Sequence, residues 1–185
     1  MSRSIRLFFA LWPDLKTRTQ LMQLADGIQQ DRNARLTRKT NLHLTLHFIG
    51  NTSTQLLPCY IEQASTLKFQ PFSITLDQLG YFKKQKILWA GPGQAPAQLY
   101  SLHEKLGTAL KCCNYEPEAR HYRPHVTLYR KANPLESLTG DLSGKFNGKP
   151  LVPDISWTVE HFSLIKSEPS ENGVIYTEIE RFKGA

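Results

Sequence analysis

Asn41-Leu-His-Leu-Thr-Leu-His-Phe48 and Arg123-Pro-His-Val-Thr-Leu-Tyr-Arg130 are two copies of one pattern, 82 positions apart in a chain of 185 residues. Each holds His-x-Thr, at His43/Thr45 and His125/Thr127. The apolar residues Leu42, Leu44 and Leu46 interleave the first copy, and Val126 and Leu128 the second. Side chains alternate across a strand, so the apolar set faces a core while imidazole and hydroxyl stand together on the other face. One His-x-Thr match arises easily by chance, and threonine favours strands in any case. Two copies with matched apolar flanks are much harder to dismiss as ordinary half-buried strands.

The pairing suits a phosphate ester. Opening a cyclic phosphate takes a base to accept a proton from water and an acid to protonate the departing sugar oxygen. Histidine titrates near neutrality, so two imidazoles divide these roles. The threonine hydroxyls donate to the non-bridging oxygens where charge builds. The residues alone leave open which histidine is acid and which is base.

Composition fits this chemistry. The 23 Lys+Arg against 16 Asp+Glu give a formal charge of +7, a field that concentrates anions such as phosphates and RNA. Hydrophobic residues make up 40% and charged residues 21%, as in a globular protein. Three cysteines, Cys59, Cys112 and Cys113, have no zinc-ligand spacing. Their odd, sparse count argues against a disulfide scaffold and for a reducing compartment. Arg6 and Pro13-Asp14 break the apolar start, so it reads as a first strand rather than a signal peptide, and no run is long enough to span a bilayer. The expected location is the cytoplasm.

Outside the motifs, Ile5–Leu11 alternates as a strand, and Pro13 opens a helix with apolar positions Leu15, Leu21, Met22, Leu24, Ala25 and Ile28. The charged stretch 31–39 reads as loop. Ser53 or Thr54 caps a helix through Leu57, Tyr60, Ile61, Ala64 and Leu67. Strands follow at Phe72–Leu76 and Ile87–Ala90, then a helix on Leu99, Leu102, Leu106, Ala109 and Leu110. Residues 131–153 are rich in glycine and proline and read as loop. Ile155–Leu164 reads as one bulged strand, and Val174–Phe182 as the last strand. The interleaving is α+β and hints at internal duplication.

The paired segments resemble the HxTx motifs of the two-histidine phosphoesterases. The chain resembles the bacterial RNA 2',3'-cyclic phosphodiesterases, also described as 2'-5' RNA ligases. Arg6-Leu-Phe-Phe-Ala, Asn41-Leu-His-Leu-Thr-Leu-His-Phe-Ile-Gly, Pro124-His-Val-Thr-Leu-Tyr-Arg and Trp157-Thr-Val-Glu-His-Phe-Ser-Leu carry the likeness, which is weakest over 131–153. It implies one bilobal domain over 1–185: two similar lobes with antiparallel sheets and outer helices, related by a pseudo-twofold about a central cleft. It implies His43 as general acid, His125 as general base, and Thr45 and Thr127 on the phosphate, with a 2'-phosphate product. It implies no cofactor and no metal. The partner is RNA with a 2',3'-cyclic phosphate end, tRNA fragments among the candidates, acted on by a monomer off the membrane.

Further residues have weaker claims. Arg130 matches phosphate geometry, but strand parity opposes it to His125 unless a bulge or strand end intervenes. His47 shares a face with His43 and Thr45 in a regular strand; it reads first as an ordinary strand residue and second as one that lines the cleft, and no third metal ligand is apparent nearby. His103, His121 and His161 read as structural. Phe8, Phe9, Phe48, Tyr129 and Trp157 are candidates for base stacking, although strand aromatics more often belong to a core. Lys83, Lys84 and Lys86 fit a solvated turn between two strands. Two rivals remain: the same four residues acting on a small cyclic phosphate, and a non-catalytic RNA-binding module.

Overall fold

The computed structural model describes residues 3–28, 30–133, 145–146, 149–150, 155–171 and 173–185. Most of the loop expected at 131–153 lies outside these. The elements are β1 (Ser4–Leu11), α1 (Leu15–Asp26), β2 (Arg35–Leu36), β3 (Leu44–Ser53), α2 (Leu57–Ser65), β4 (Phe72–Leu76), β5 (Gln78–Phe82) and β6 (Ile87–Gly91). They continue with α3 (Ala97–Leu110), β7 (Val126–Arg130), the short pair β8 (Lys145–Phe146) and β9 (Lys149–Pro150), β10 (Ile155–Val159), β11 (His161–Ser170) and β12 (Gly173–Lys183). The α+β expectation holds, and the strands pair antiparallel.

Among the described residues eight strands form one sheet in the order β12-β11-β1-β3-β7-β6-β5, with β2 alongside β7. β3 meets β7 at one residue pair, Leu44 opposite Val126. Beyond that crossing β2 takes over the same edge, placing Arg35 and Leu36 opposite Arg130 and Tyr129. The sheet is thus two halves joined at a pinch. One half is built from both ends of the chain, the other from its middle.

Two expectations about the later strands need correcting. The stretch read as one bulged strand is two, broken at Glu160 and placed in different sheets. β10 pairs with β4, while β11 crosses back to cover β1. Each strand alternates well by itself, and only its partner shows where one ends. The chain halves are therefore not the lobes, since β11 and β12 complete the first-motif half.

The helices cover the sheet's inner face. Asp14 caps α1 by accepting from the Thr17 N–H at 2.7 Å, and Leu21 and Ala25 are buried beneath. Leu15, placed on the apolar stripe by spacing, is instead 64% exposed in the first turn. α3 buries Leu99, Leu102, Leu106 and Leu110, as its 3.6 spacing implies. Leu7, Phe9, Leu44, Leu46, Val126, Leu128 and Phe162 join these in one core that runs under both halves.

Cys59 of α2 is bonded to Cys113, just past α3. This corrects the reading against disulfides: spacing along the chain says nothing about two cysteines brought together by helix packing. Cys112 is free and exposed, with its Sγ 3.9 Å from that of Cys113. Among the described residues no helix is long and apolar enough to cross a membrane.

Candidate active site

The two motifs meet where β3 crosses β7. Residue 44 plus the repeat offset is residue 126, so the Leu44–Val126 pair maps onto itself, and a local twofold runs through it. His43 and Thr45 flank Leu44, and His125 and Thr127 flank Val126, so this one pair brings all four residues to the crossing. His125 lies near enough to His43 to disfavour a proton on it.

Each histidine is held in the same way. His43 Nδ1–H donates to the Asn41 carbonyl at 2.7 Å, and His125 Nδ1–H to the Arg123 carbonyl at 2.8 Å. A carbonyl only accepts, so the proton of a neutral ring sits on Nδ1 and the lone pair on Nε2. Asn41 is itself tied to β12 through Nδ2 and the Val174 carbonyl, at 2.9 Å.

Aromatic rings fix both imidazoles. Trp12 stacks on His43 at 5.1 Å between centroids, with Phe8 at 4.9 Å and Tyr176 edge-on at 5.2 Å. Phe82 meets His125 edge-on at 4.9 Å, and Trp89 lies 6.0 Å away. Trp89 reaches there by lying across Gly80, where a β-carbon would fall 2.0 Å from its ring. Burial pulls the His43 pKa down to about 4, with Arg130 and His125 adding repulsion and the Asn41 hydrogen bond opposing them. His125 is lowered chiefly by burial, then by Arg120 and Arg130.

Matching bulges set the strand geometry just past each motif. Phe9 pairs with His47 and Ala10 with Thr45, leaving Leu46 extra; Leu88 pairs with Tyr129 and Trp89 with Thr127, leaving Leu128 extra. Both extra residues hold the fourth place of their motif, and each flips the parity beyond it. Arg130 therefore returns to the cleft face, meeting the condition that parity set for it. Its partner by the repeat is Phe48.

The same flip corrects His47. It leaves the His43 face and is buried, with Nε2–H donating to the His103 carbonyl at 2.7 Å and Nδ1 accepting from Tyr115 Oη at 3.1 Å. His47, His103 and Tyr122 form a stack behind the site, with centroids 4.1 and 3.8 Å apart. Tyr122 Oη–H donates to the Thr45 carbonyl at 2.9 Å, bracing that residue from below.

A cleft of about 810 Å³ opens beside the crossing. His43, Thr45, Phe8, Phe48, Arg6, Arg130, Lys166 and Tyr176 line it. His125 and Thr127 are not part of its wall, so the space lies on the first-motif side. Phe48 is 42% exposed, and the Arg6 guanidinium stands 4.7 Å over its ring. Of the aromatic candidates, Phe8 and Phe48 reach the cleft. Phe9 and Trp157 are core, and Tyr129 turns inward to donate to the Ala25 carbonyl. Trp12 and Tyr176 were missed. Trp12 continues the Phe8, Ala10 parity just past the end of β1, a signal the sequence did carry. Tyr176 reaches His43 only through strand order. His121 and His161 contact neither histidine through any described ring pair, and Lys83, Lys84 and Lys86 are exposed at the β5–β6 turn.

A sequence model of the 2'-5' RNA ligase superfamily matches residues 13–171. The chain belongs to that superfamily. Among its relatives is the RNA 2',3'-cyclic phosphodiesterase of Escherichia coli K12, 29% identical over 182 residues and covering 98% of each chain. The protein of the same name from Thermus thermophilus is 27% identical over 188 residues, covering 96% of this chain and 89% of its own. E. coli LigT in its apo form superposes with a TM-score of 0.85 at 25% identity, covering 100% of this chain and 99% of LigT. LigT complexed with 3'-AMP gives the same score, at 99% of each chain. This superfamily member thus shares its fold and nearly its whole length with solved relatives.

Proposed function

We propose that this protein hydrolyses RNA 2',3'-cyclic phosphate ends to 2'-phosphomonoesters, with His43 as general acid and His125 as general base. One observation supports the reading: two imidazoles, each with Nδ1 on the carbonyl two residues before it, flank the Leu44–Val126 pair, close enough for His125 to disfavour a proton on His43. The relatives' names point to the same substrate.

The position of the cleft supports this division of roles. The sugar and base need room, and the cleft is on the His43 side. His125 Nε2 takes a proton from water as its oxygen attacks phosphorus. The bond from phosphorus to O3' breaks, and His43 Nε2–H protonates O3'. Thr45, Thr127 and Arg130 hold the non-bridging oxygens. With a 5'-hydroxyl of a second strand in place of water, the same steps join the ends through a 2'-5' bond, O3' again leaving with a proton from His43. The two histidines supply both proton transfers, so the scheme needs neither metal nor cofactor. The reading keeps the enzyme monomeric and cytoplasmic, where ambient thiols would work against the Cys59–Cys113 bond.

The test is hydrolysis of an oligonucleotide ending in a 2',3'-cyclic phosphate, in excess chelator, by the parent, His43→Ala and His125→Ala. The parent should turn over, and each variant should lose about 10²-fold or more. Activity surviving in His125→Ala, or abolished by chelator and restored by a divalent ion, would refute the scheme.

A further inference from the structure

Beyond Trp12 and Tyr176 the face of the first half does not end. A second basin of about 420 Å³ continues along it, lined by Trp12, Asp14, Arg18, Thr40, His161, Ser163, Tyr176, Glu178 and Arg181. Tyr176 is a wall of both this basin and the main cleft, and Trp12 stacks on His43 from the basin side.

Its charges are unevenly satisfied. Glu178 is held by Arg181 through two hydrogen bonds of 2.8 and 2.7 Å, and by the Ser163 hydroxyl at 2.7 Å. The Asp14 carboxylate is engaged by the Thr17 N–H that it caps. Arg18 differs. Its Nε is buried and has no hydrogen-bond partner among the described residues. A buried, unpaired guanidinium nitrogen is costly, and an acceptor brought to it, a phosphate oxygen among them, relieves that cost.

We propose that this basin receives the phosphate on the 5' side of the terminal nucleotide, so that RNA is gripped at two phosphates with Trp12 and Tyr176 between them. The proposal rests on the function given above. RNA ending in a 2',3'-cyclic phosphate has only a 5' direction in which to continue. Arg6 and Lys166 offer another route for that phosphate along the main cleft. Arg6 already lies over Phe48 and Lys166 is paired with Glu168 at 2.7 Å, while the Arg18 Nε is unpartnered among the described residues and a small side-chain shift would turn it to the basin that Arg18 lines. Guanidinium is also the group best matched to phosphate oxygens.

The experiment compares adenosine 2',3'-cyclic phosphate, which lacks the second phosphate, with a diadenosine ending in a 2',3'-cyclic phosphate, which has it. The parent should prefer the dinucleotide by about tenfold in kcat/KM. Arg18→Gln should lose most of that preference through KM while turning over the nucleoside substrate as the parent does, which also shows that it folds. Arg18→Lys should recover part of it. For the dinucleotide, the slope of log kcat/KM against log salt should become shallower by about 0.7 in Arg18→Gln, as expected for one lost contact on a single strand. Equal effects on both substrates, no effect on either, or loss of the preference in Lys166→Gln but not in Arg18→Gln would overturn the second subsite and leave the function intact. A parent that hydrolyses neither substrate would overturn both.

Discussion

Arg130→Gln should move the acid–base profile of the enzyme and not merely its rate. Burial, helped by Arg130 and His125, holds His43 at about 4, against an ordinary 6.5. That gap is worth about 3 kcal/mol in favour of the neutral ring, so only about one molecule in a thousand carries a proton on His43 at pH 7. His125 is lowered as well, again mainly by burial. The productive free enzyme needs a proton on the acid and none on the base. Both limbs of kcat/KM against pH should therefore lie below 6.5, with kcat/KM falling about tenfold per pH unit above that. The profile of kcat should sit at higher pH, because a bound phosphate anion favours protonated His43. Arg130 repels a proton on either histidine. A unit charge within about 5–10 Å contributes about 0.4–0.8 kcal/mol at an effective dielectric of about 80 and about 1.7–3.3 kcal/mol at about 20, centred near one pH unit. Arg130→Gln should thus shift both limbs of kcat/KM upward by about one pH unit while lowering the maximum. The assay is the initial rate at substrate well below KM, from pH 4 to 9, on a cyclic-phosphate dinucleotide, with NMR titration of His43 in parallel. A parent maximum at or above pH 7, or limbs that stay in place in Arg130→Gln while the rate drops, would refute the assignment of strained, neutral histidines.

Two further outcomes concern stability. Reducing the Cys59–Cys113 bond, or replacing Cys59 by Ser, releases a constraint across 54 positions and should cost about 4 kcal/mol, lowering Tm by about 10 °C, while Cys112→Ser leaves Tm unchanged; scanning calorimetry with and without reductant reads this directly. His43 and His103, each held at about 4, are neutral in the fold but take up protons near 6.5 when unfolded, so stability is full above pH 6.5 and drains away as pH falls toward 4; urea titrations should show a loss of about 2–4 kcal/mol between pH 7 and pH 5, and equal midpoints at the two would contradict it.

The sequence by itself determined the candidate residues for the proposed chemistry and the strand segment that carries each pair of them. His43, Thr45, His125 and Thr127 are legible because period-two alternation is a local rule: apolar neighbours mark one face, and what remains must face the other way. The amphipathic helix through Leu99, Leu102, Leu106 and Leu110 is legible for the same reason, at its own period. The strand geometry beyond each motif was not. The bulges at Leu46 and Leu128 exist only as a mismatch between two paired strands, so β3 read alone keeps His47 in the cleft and β7 read alone keeps Arg130 out of it. Pairing reverses both. Strand order and helix packing are equally non-local: they carry β11 and β12 back to the first half, bring Tyr176 against His43, and join Cys59 to Cys113. Alternation along one strand is fixed by that strand's own residues, while register and partner choice are set by the free energy of the whole packed sheet.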